Sequence, residues 1–167
     1  DGGNGGSIII QSDRNLNILL DAWKKIHLSI NDAKLFINPP FKLTDDLKKQ
    51  NIAVREKSDK KKLIEDLKNS RIMLVPGHKG EVFCLAAEEA RELCIPIVTM
   101  GFGSLYERVI HNKTGYIAKN INEFVNYSVN LIKDDFLYLE FKKNLLQLRN
   151  SRNYSHVAKD LLSIINN

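Results

Sequence analysis

The sequence predicts an α/β fold: a doubly wound parallel sheet with helices on both faces. Three observations carry this. Short, continuous apolar runs rich in Ile, Leu and Val alternate about six times with segments of helical period. The runs are uniformly apolar rather than alternating in-and-out, as strands covered on both faces are. With 167 residues, 43% hydrophobic and 27% charged, the chain has the balance of one globular domain.

The elements follow in order. Asp1 to Ser7 is glycine-rich and polar, and it precedes the first strand where a phosphate-cradling loop would follow one. Residues 1–7 are therefore read as a flexible linker or an engineered remnant. Ile8, Ile9 and Ile10 form the first strand, and Leu16, Leu19, Leu20, Trp23 and Ile26 recur at helical spacing behind Asp13 or Asn15 as cap. Ala33 to Asn38 is a second strand stopped by Pro39-Pro40, and Thr44 caps a short helix to Gln50. Ile52 to Glu56 is a third strand, and Ser58 or Asp59 starts a helix carrying Leu63, Ile64 and Leu67. Arg71 to Pro76 is the fourth strand, Val82 to Leu93 a helix, and Pro96 to Met100 the fifth strand. Leu105 to Ile110, Gly115 to Ala118 and Asn122 to Lys133 give a helix, a short strand and a helix. From Asp135 the chain is helical with a break near Asn150 to Asn153, so residues 8–134 form the domain and 135–167 are C-terminal helices packed on it or crossing from it.

Several classes of function are excluded. No apolar run reaches membrane-spanning length and no charged-then-apolar leader opens the chain, which reads as soluble and cytoplasmic. Cys84 and Cys94, placed in one helix about 15 Å apart by the helical rise, are too distant for a disulfide and read as buried thiols of a reducing compartment. The four histidines lack ligand spacing, so no metal site is expected. The net charge of +5 comes mostly from lysine. The run Lys57-Ser58-Asp59-Lys60-Lys61-Lys62 has no interleaved aromatic residue, so it reads as a solvated helix face with no nucleic acid as partner.

Chemistry concentrates between Pro76 and Gly115, beyond the carboxyl ends of the fourth and fifth strands, where this architecture binds ligands. Glu81 and Glu89 stand eight residues apart, about 12 Å if helical. That span suits the two ends of a sugar nucleotide, whose vicinal hydroxyls donate to carboxylates. Gly101-Phe102-Gly103-Ser104 then leads into a helix whose N-terminus offers N–H groups to a diphosphate. Standing alone, Glu81 is also a helix-start carboxylate facing the macrodipole, and Glu89 beside Glu88 is also a solvated face. Glu107 is divided between fixing the loop and touching substrate. Arg14 is divided between phosphate contact and plain surface. His78 and Lys79 read as exposed loop residues, Glu88 and Glu92 as surface charges, and Phe83 and Trp23 as core.

These residues resemble the nucleotide-binding half of a GT-B class, family 4 retaining glycosyltransferase. Glu81, Phe83, Glu89 and Ala90 match the family's E-x-F-G-x-x-x-x-E-A, Pro96, Ile97 and Val98 its G-x-P-V-V turn, and Gly103, Glu107, Thr114 and Gly115 its late glycine, glutamate and T-G positions. NLNILLDAWKKI is similar to the helix after that domain's first strand. Element order extends the likeness over residues 8–134. Two departures stand out: Cys84 occupies a position usually glycine, and Arg14 alone stands where an arginine and a lysine usually grip the diphosphate. The resemblance implies a Rossmann-like C-terminal domain. In it Glu81 and the backbone of Phe83, Cys84 and Leu85 hold the donor sugar, and Glu89 binds the ribose. Gly103, Ser104 and Leu105 supply amides to the diphosphate, with Arg14 beside them. Glu81 is the catalytic residue expected, though not as a nucleophile. The implied donor is a UDP-, GDP- or ADP-linked sugar and the acceptor a glycan or lipid-linked molecule, with no cofactor and no metal. An N-terminal acceptor domain is the implied partner, without which the chain is inactive. Contact with the inner face of a membrane stays open because such acceptors are often lipid-linked. A GT-B-like sugar-nucleotide epimerase, a phosphorylase and a non-enzymatic partner-binding module remain the competing readings.

Overall fold

The computed structural model describes residues 5–8, 15–38, 41–55, 60–151 and 154–165. Six strands form one sheet: β1 (Gly5–Ile8), β2 (Lys34–Ile37), β3 (Ile52–Val54), β4 (Ile72–Val75), β5 (Ile97–Thr99) and β6 (Gly115–Ile117). All neighbours pair in parallel, in the order β3-β2-β1-β4-β5-β6. The helices are α1 (Leu16–Ser29), α2 (Asp45–Lys48), α3 (Lys60–Lys68), α4 (Leu85–Glu92), α5 (Leu105–Arg108), α6 (Ile121–Lys133), α7 (Asp135–Ser151) and α8 (Tyr154–Ile165). The doubly wound parallel sheet expected from the sequence is the one observed. Its strand order reverses direction between β1 and β4, and such a switch point opens a crevice at the strands' carboxyl ends.

The first strand begins earlier than expected. Gly5, Gly6 and Ser7 pair with Lys34, Leu35 and Phe36, and Gly6 and Ser7 also with Ile72 and Met73. Residues 5–7 are therefore sheet rather than linker, because a central strand is held by ladders on both sides and needs no apolar side chain to specify it. Ile9, Ile10, Asp13, Arg14, Pro39, Pro40, Glu56, Lys57, Ser58 and Asp59 lie outside the described residues.

Strand β4 shows how both faces are covered. Ile72 and Leu74 join Trp23, Ile26, Phe124 and Phe141 in one core, under α1, α6 and α7. Met73 and Val75 face the other way, into a second core with Leu67, Ala87, Ala90 and Leu105 under α3, α4 and α5. The side-chain period of two thus sends one apolar strand into two cores. Trp23 fills the first, fully buried, with its indole Nε1–H donating to the Gln50 carbonyl at 2.8 Å. At the start of α6 the Asn120 side chain accepts from the Glu123 N–H at 3.0 Å, and Glu123 Oε2 accepts from the Lys119 N–H at 2.9 Å. This is a reciprocal cap that satisfies two otherwise orphaned donors. Arg71 ties the C-terminal helices to the sheet: Nε donates to the Leu131 carbonyl at 2.8 Å, and the guanidinium stacks 4.4 Å from the Tyr138 ring centroid. Among the described residues no helix is long and apolar enough to cross a membrane.

Helix α4 is shorter than expected, and its ends carry the two cysteines. Cys84 is its N-cap at φ 52° and Cys94 lies past its end at φ 56°, both left-handed. Cys94 N–H donates to the Arg91 carbonyl at 3.0 Å and Ile95 N–H to the Ala90 carbonyl at 2.8 Å. That bond pair is the Schellman ending, whose left-handed position is most often glycine. Both thiols are buried, but neither is in the helix, so the helical-rise distance between them does not apply.

Candidate functional site

Two loops meet at the carboxyl ends of β4 and β5. The first, from Pro76 to Cys84, brings Glu81 inward; only 8% of it is exposed. Its Oε1 accepts from the Cys84 N–H at 3.2 Å, its N–H donates to the His78 carbonyl at 3.0 Å, and its Oε2 lies 3.8 Å from His78 Nε2. The second loop, Gly101 to Ser104, packs directly on it, with Ser104 N–H donating to the Glu81 carbonyl at 2.9 Å. Gly103 sits at φ 58°, and a Cβ there would lie 2.4 Å from the Glu81 carbonyl oxygen. Only glycine meets both conditions, so the glycine of this loop is required by its contact with Glu81. From the third side, Asn15 at the start of α1 donates its side-chain amide to the Gly77 carbonyl.

Donor groups are available beside this junction. In the first turn of α4, the Ala87 and Glu88 amides fold back onto the Cys84 carbonyl at 3.0 and 3.3 Å. The Leu85 and Ala86 amides have no partner among the described residues, the usual state of a helix start that can receive an anion or hydroxyl. The Ser104 hydroxyl is buried and also unpartnered. Such a group costs about 1–3 kcal/mol unless a ligand or water completes it. Of the amides expected at a diphosphate, Ser104 N–H is engaged by Glu81 and Leu105 N–H donates to the Phe102 carbonyl at 3.3 Å. Leu105 N–H is taken up by the i-to-i+3 turn that leads into α5, and Ser104 N–H by the packing of this loop on the Glu81 loop.

The two adjacent glutamates separate cleanly. Glu88 is half-buried and paired to both Arg91 Nη1 and Arg108 Nη1, each at 2.8 Å from Oε1. It is therefore a structural ion pair rather than the surface charge expected. Glu89 is exposed on the neighbouring face of α4, and its side chain carries no ion pair or hydrogen bond among the described residues. Glu107 is likewise exposed: its N–H donates to the Ser104 carbonyl at 3.1 Å, and its side chain has no hydrogen bond or ion pair among the described residues. The Glu81–Cys84 stretch is non-helical, so the helical span assumed between Glu81 and Glu89 does not hold. Phe83 is 48% exposed instead of core, because it precedes the helix rather than lying in its apolar face. The T-G pair serves the sheet: Thr114 Oγ1 accepts from the Ile110 N–H at 2.9 Å, and a Cβ on Gly115 would lie 2.1 Å from the Ile97 carbonyl oxygen. Lys79 is exposed, as expected of a loop residue. Among the described residues no group of three or more His, Cys, Asp or Glu could hold a metal ion.

The family described as glycosyl transferases group 1 matches residues 10–147, most of the chain. The chain belongs to this family. None of the curated proteins compared matches the sequence. Among solved structures, a TarM variant from S. aureus, in complex with Fondaparinux, alpha-GlcNAc-glycerol and UDP, superimposes with a TM-score of 0.77 at 17% identity over 100% of this chain. The pneumococcal O-GlcNAc transferase GtfA, in complex with UDP and GlcNAc, gives 0.73 at 13% identity over 99% of this chain. The C-terminal domain of a glycosyl transferase group 1 family protein (LpcC) from Francisella tularensis gives 0.72 at 19% identity, covering 89% of this chain and 85% of that one. The chain spans 36% of TarM and 37% of GtfA, about a third of each. At these identities the likeness concerns the fold, the Rossmann-like half of the GT-B arrangement.

Within this group 1 domain, the structure gathers Glu81, Cys84, Leu85, Gly103 and Ser104 around one junction, and Arg14 lies outside the described residues. Arg108 joins the junction with no motif position to mark it, and Asn15, expected as a helix cap, turns its side chain to Gly77 instead. Both roles depend on tertiary reach rather than spacing.

Proposed function

We propose that the chain is the C-terminal, nucleotide-sugar-binding domain of a family 4 retaining glycosyltransferase of hexosyltransferase type. It would move a sugar from a UDP-, GDP- or ADP-linked donor to a glycan or lipid-linked acceptor without a metal. The observation that carries this reading is the buried Glu81, its carboxylate held by the Cys84 N–H and its main-chain carbonyl by the Gly103–Ser104 loop, with the Leu85 and Ala86 amides, unpartnered among the described residues, at the helix start next to it. The carboxylate, oriented by the Cys84 N–H, accepts from sugar hydroxyls in this reading. The free amides and the Ser104 hydroxyl face charge developing on the departing diphosphate, where preorganised donors lower the barrier most. Glu89, its side chain unpaired among the described residues, takes the ribose hydroxyls. Related folds solved with UDP and with GlcNAc support this choice of ligand. The acceptor side belongs to an N-terminal domain, so the isolated chain binds donor without transferring it.

Thermal unfolding with UDP, GDP, ADP and their sugars tests the reading, since a ligand that binds only the folded state raises the midpoint by mass action. One nucleotide series should raise it, and none doing so with folded protein would sink the proposal. Glu89→Ala should weaken nucleotide affinity about tenfold, the value of a hydrogen bond to a charged group, with the ligand-free midpoint unchanged. Unaltered affinity removes Glu89 from the ribose.

A further inference from the structure

Arg108 closes α5, 18% of its side chain exposed, and makes three separate contacts, two with Phe83 of the Glu81 loop and one with Glu88 of α4. Its Nε–H donates to the Phe83 carbonyl at 3.3 Å. Its guanidinium lies 4.3 Å from the Phe83 ring centroid, and its Nη1 is 2.8 Å from Glu88 Oε1. Glu88 is in turn held by Arg91, so the guanidinium's position is fixed from α4 as well as from α5.

The Phe83 carbonyl belongs to the same peptide unit as the Cys84 N–H. A trans peptide is planar, with its C=O and N–H pointing in opposite directions. One side of this unit is gripped by Arg108, and the other donates to Glu81 Oε1 at 3.2 Å. Turning that plane would break both bonds together. Just before this unit the chain is loosely packed, with Val82 88% exposed and Phe83 outside the core.

We propose that Arg108 is a positioning residue for the donor sugar, acting on the Glu81 carboxylate through the Phe83–Cys84 peptide and braced by Glu88. This rests on the donor-site reading above and adds a residue which that reading does not use. Arg108 touches neither sugar nor diphosphate in this scheme. Its loss should therefore separate recognition of the sugar from recognition of the nucleotide. Arginine is required because its planar fork serves a carbonyl, a ring and a carboxylate at once, which a lysine ammonium cannot.

The test uses the chain with Arg108→Met and Arg108→Lys, in two arms. In amide hydrogen exchange, Arg108→Met should speed the Cys84 amide at least tenfold while the β4 and β5 amides keep wild-type protection, with Arg108→Lys intermediate. In binding, using UDP, GDP and ADP with UDP-glucose, UDP-GlcNAc, GDP-mannose and ADP-glucose, the productive nucleotide should keep its affinity within twofold. The affinity of its sugar should fall about tenfold relative to it. An unchanged Cys84 amide in Arg108→Met overturns the proposal. So does equal loss of nucleotide and nucleotide-sugar binding with faster exchange throughout α4, β4 and β5, the mark of general loosening. Should the unsubstituted chain bind none of these nucleotides, the donor-site reading is what falls, and the exchange at Cys84 still decides for or against the Arg108 anchor.

Discussion

The two faces of the sheet are built differently. Under α1, α6 and α7 the core holds Trp23, Phe124, Phe141 and Tyr116, and its cohesion is bulk apolar contact. Under α4 and α5 it holds Ala87, Ala90, Cys84 and Leu105, small side chains that let helix and loops approach closely. The loops above this second face are kept in place by directed bonds: Ser104 to Glu81, Cys84 to Glu81, Arg108 to Phe83 and Glu88. One face therefore supplies stability and the other supplies geometry. A substitution on the first should lower stability without a selective effect on ligand, and one on the second should do the reverse.

The largest test of that division is Trp23→Ala. The ring is fully buried and its Nε1–H satisfies the Gln50 carbonyl, so truncation leaves a large cavity and an unpaired acceptor. Losing a buried Trp destabilises by about 3–5 kcal/mol, read as a drop in the denaturant midpoint with an unchanged slope. A loss under about 1 kcal/mol would mean the first face is not the one that carries the fold.

The same division explains what could be read from the sequence. Apolar runs and helical period report bulk burial, so the parallel sheet and Trp23 in the core were legible, with strand ends shifted by at most three residues. Gly5 and Gly6 were misread as linker because backbone pairing leaves no trace in side-chain pattern. On the second face, Glu81 and Gly103 were legible because a carboxylate and a left-handed glycine leave residue-type signatures. The pairing of Glu88 with Arg108, the tie from Asn15 to Gly77 and the grip of Arg108 on Phe83 were not, since each joins residues distant in sequence through hydrogen bonds that many polar side chains could make. Phe83 shows the limit most plainly: its spacing is helical, but Cys84 turns the chain left-handed immediately after it.

A smaller effect tests the geometry face through Cys84. At φ 52° any side chain carries steric strain of about 1–2 kcal/mol that glycine escapes. Cys84→Ala removes the buried sulfur and keeps the strain, whereas Cys84→Gly removes both. Cys84→Gly should therefore be more stable than Cys84→Ala by about 1 kcal/mol, inverting the order seen inside helices, and Cys94 at φ 56° should behave alike. Comparison of the paired variants by chemical denaturation checks this. Alanine more stable than glycine at Cys84 would show that the left-handed turn is not strained.

The smallest effect returns to the apolar face. Tyr116 is buried, stacked on Tyr127 with ring centroids 4.2 Å apart and tilted against Phe141 at 5.1 Å. Burial, with the neighbouring Tyr127 second, raises its phenol above its ordinary value of 10.0. The folded state thus favours the neutral phenol, and its contribution is complete below that ordinary value. It is lost as pH climbs through the raised one, because the unfolded chain releases the proton first. Stability should fall in strongly alkaline solution, and Tyr116→Phe, which has no proton to lose, should flatten part of that fall while leaving the neutral-pH midpoint nearly unchanged. Parallel alkaline unfolding curves for the two proteins would place the loss elsewhere. They would also leave the apolar face indifferent to charge, so that its cohesion rests on packing alone.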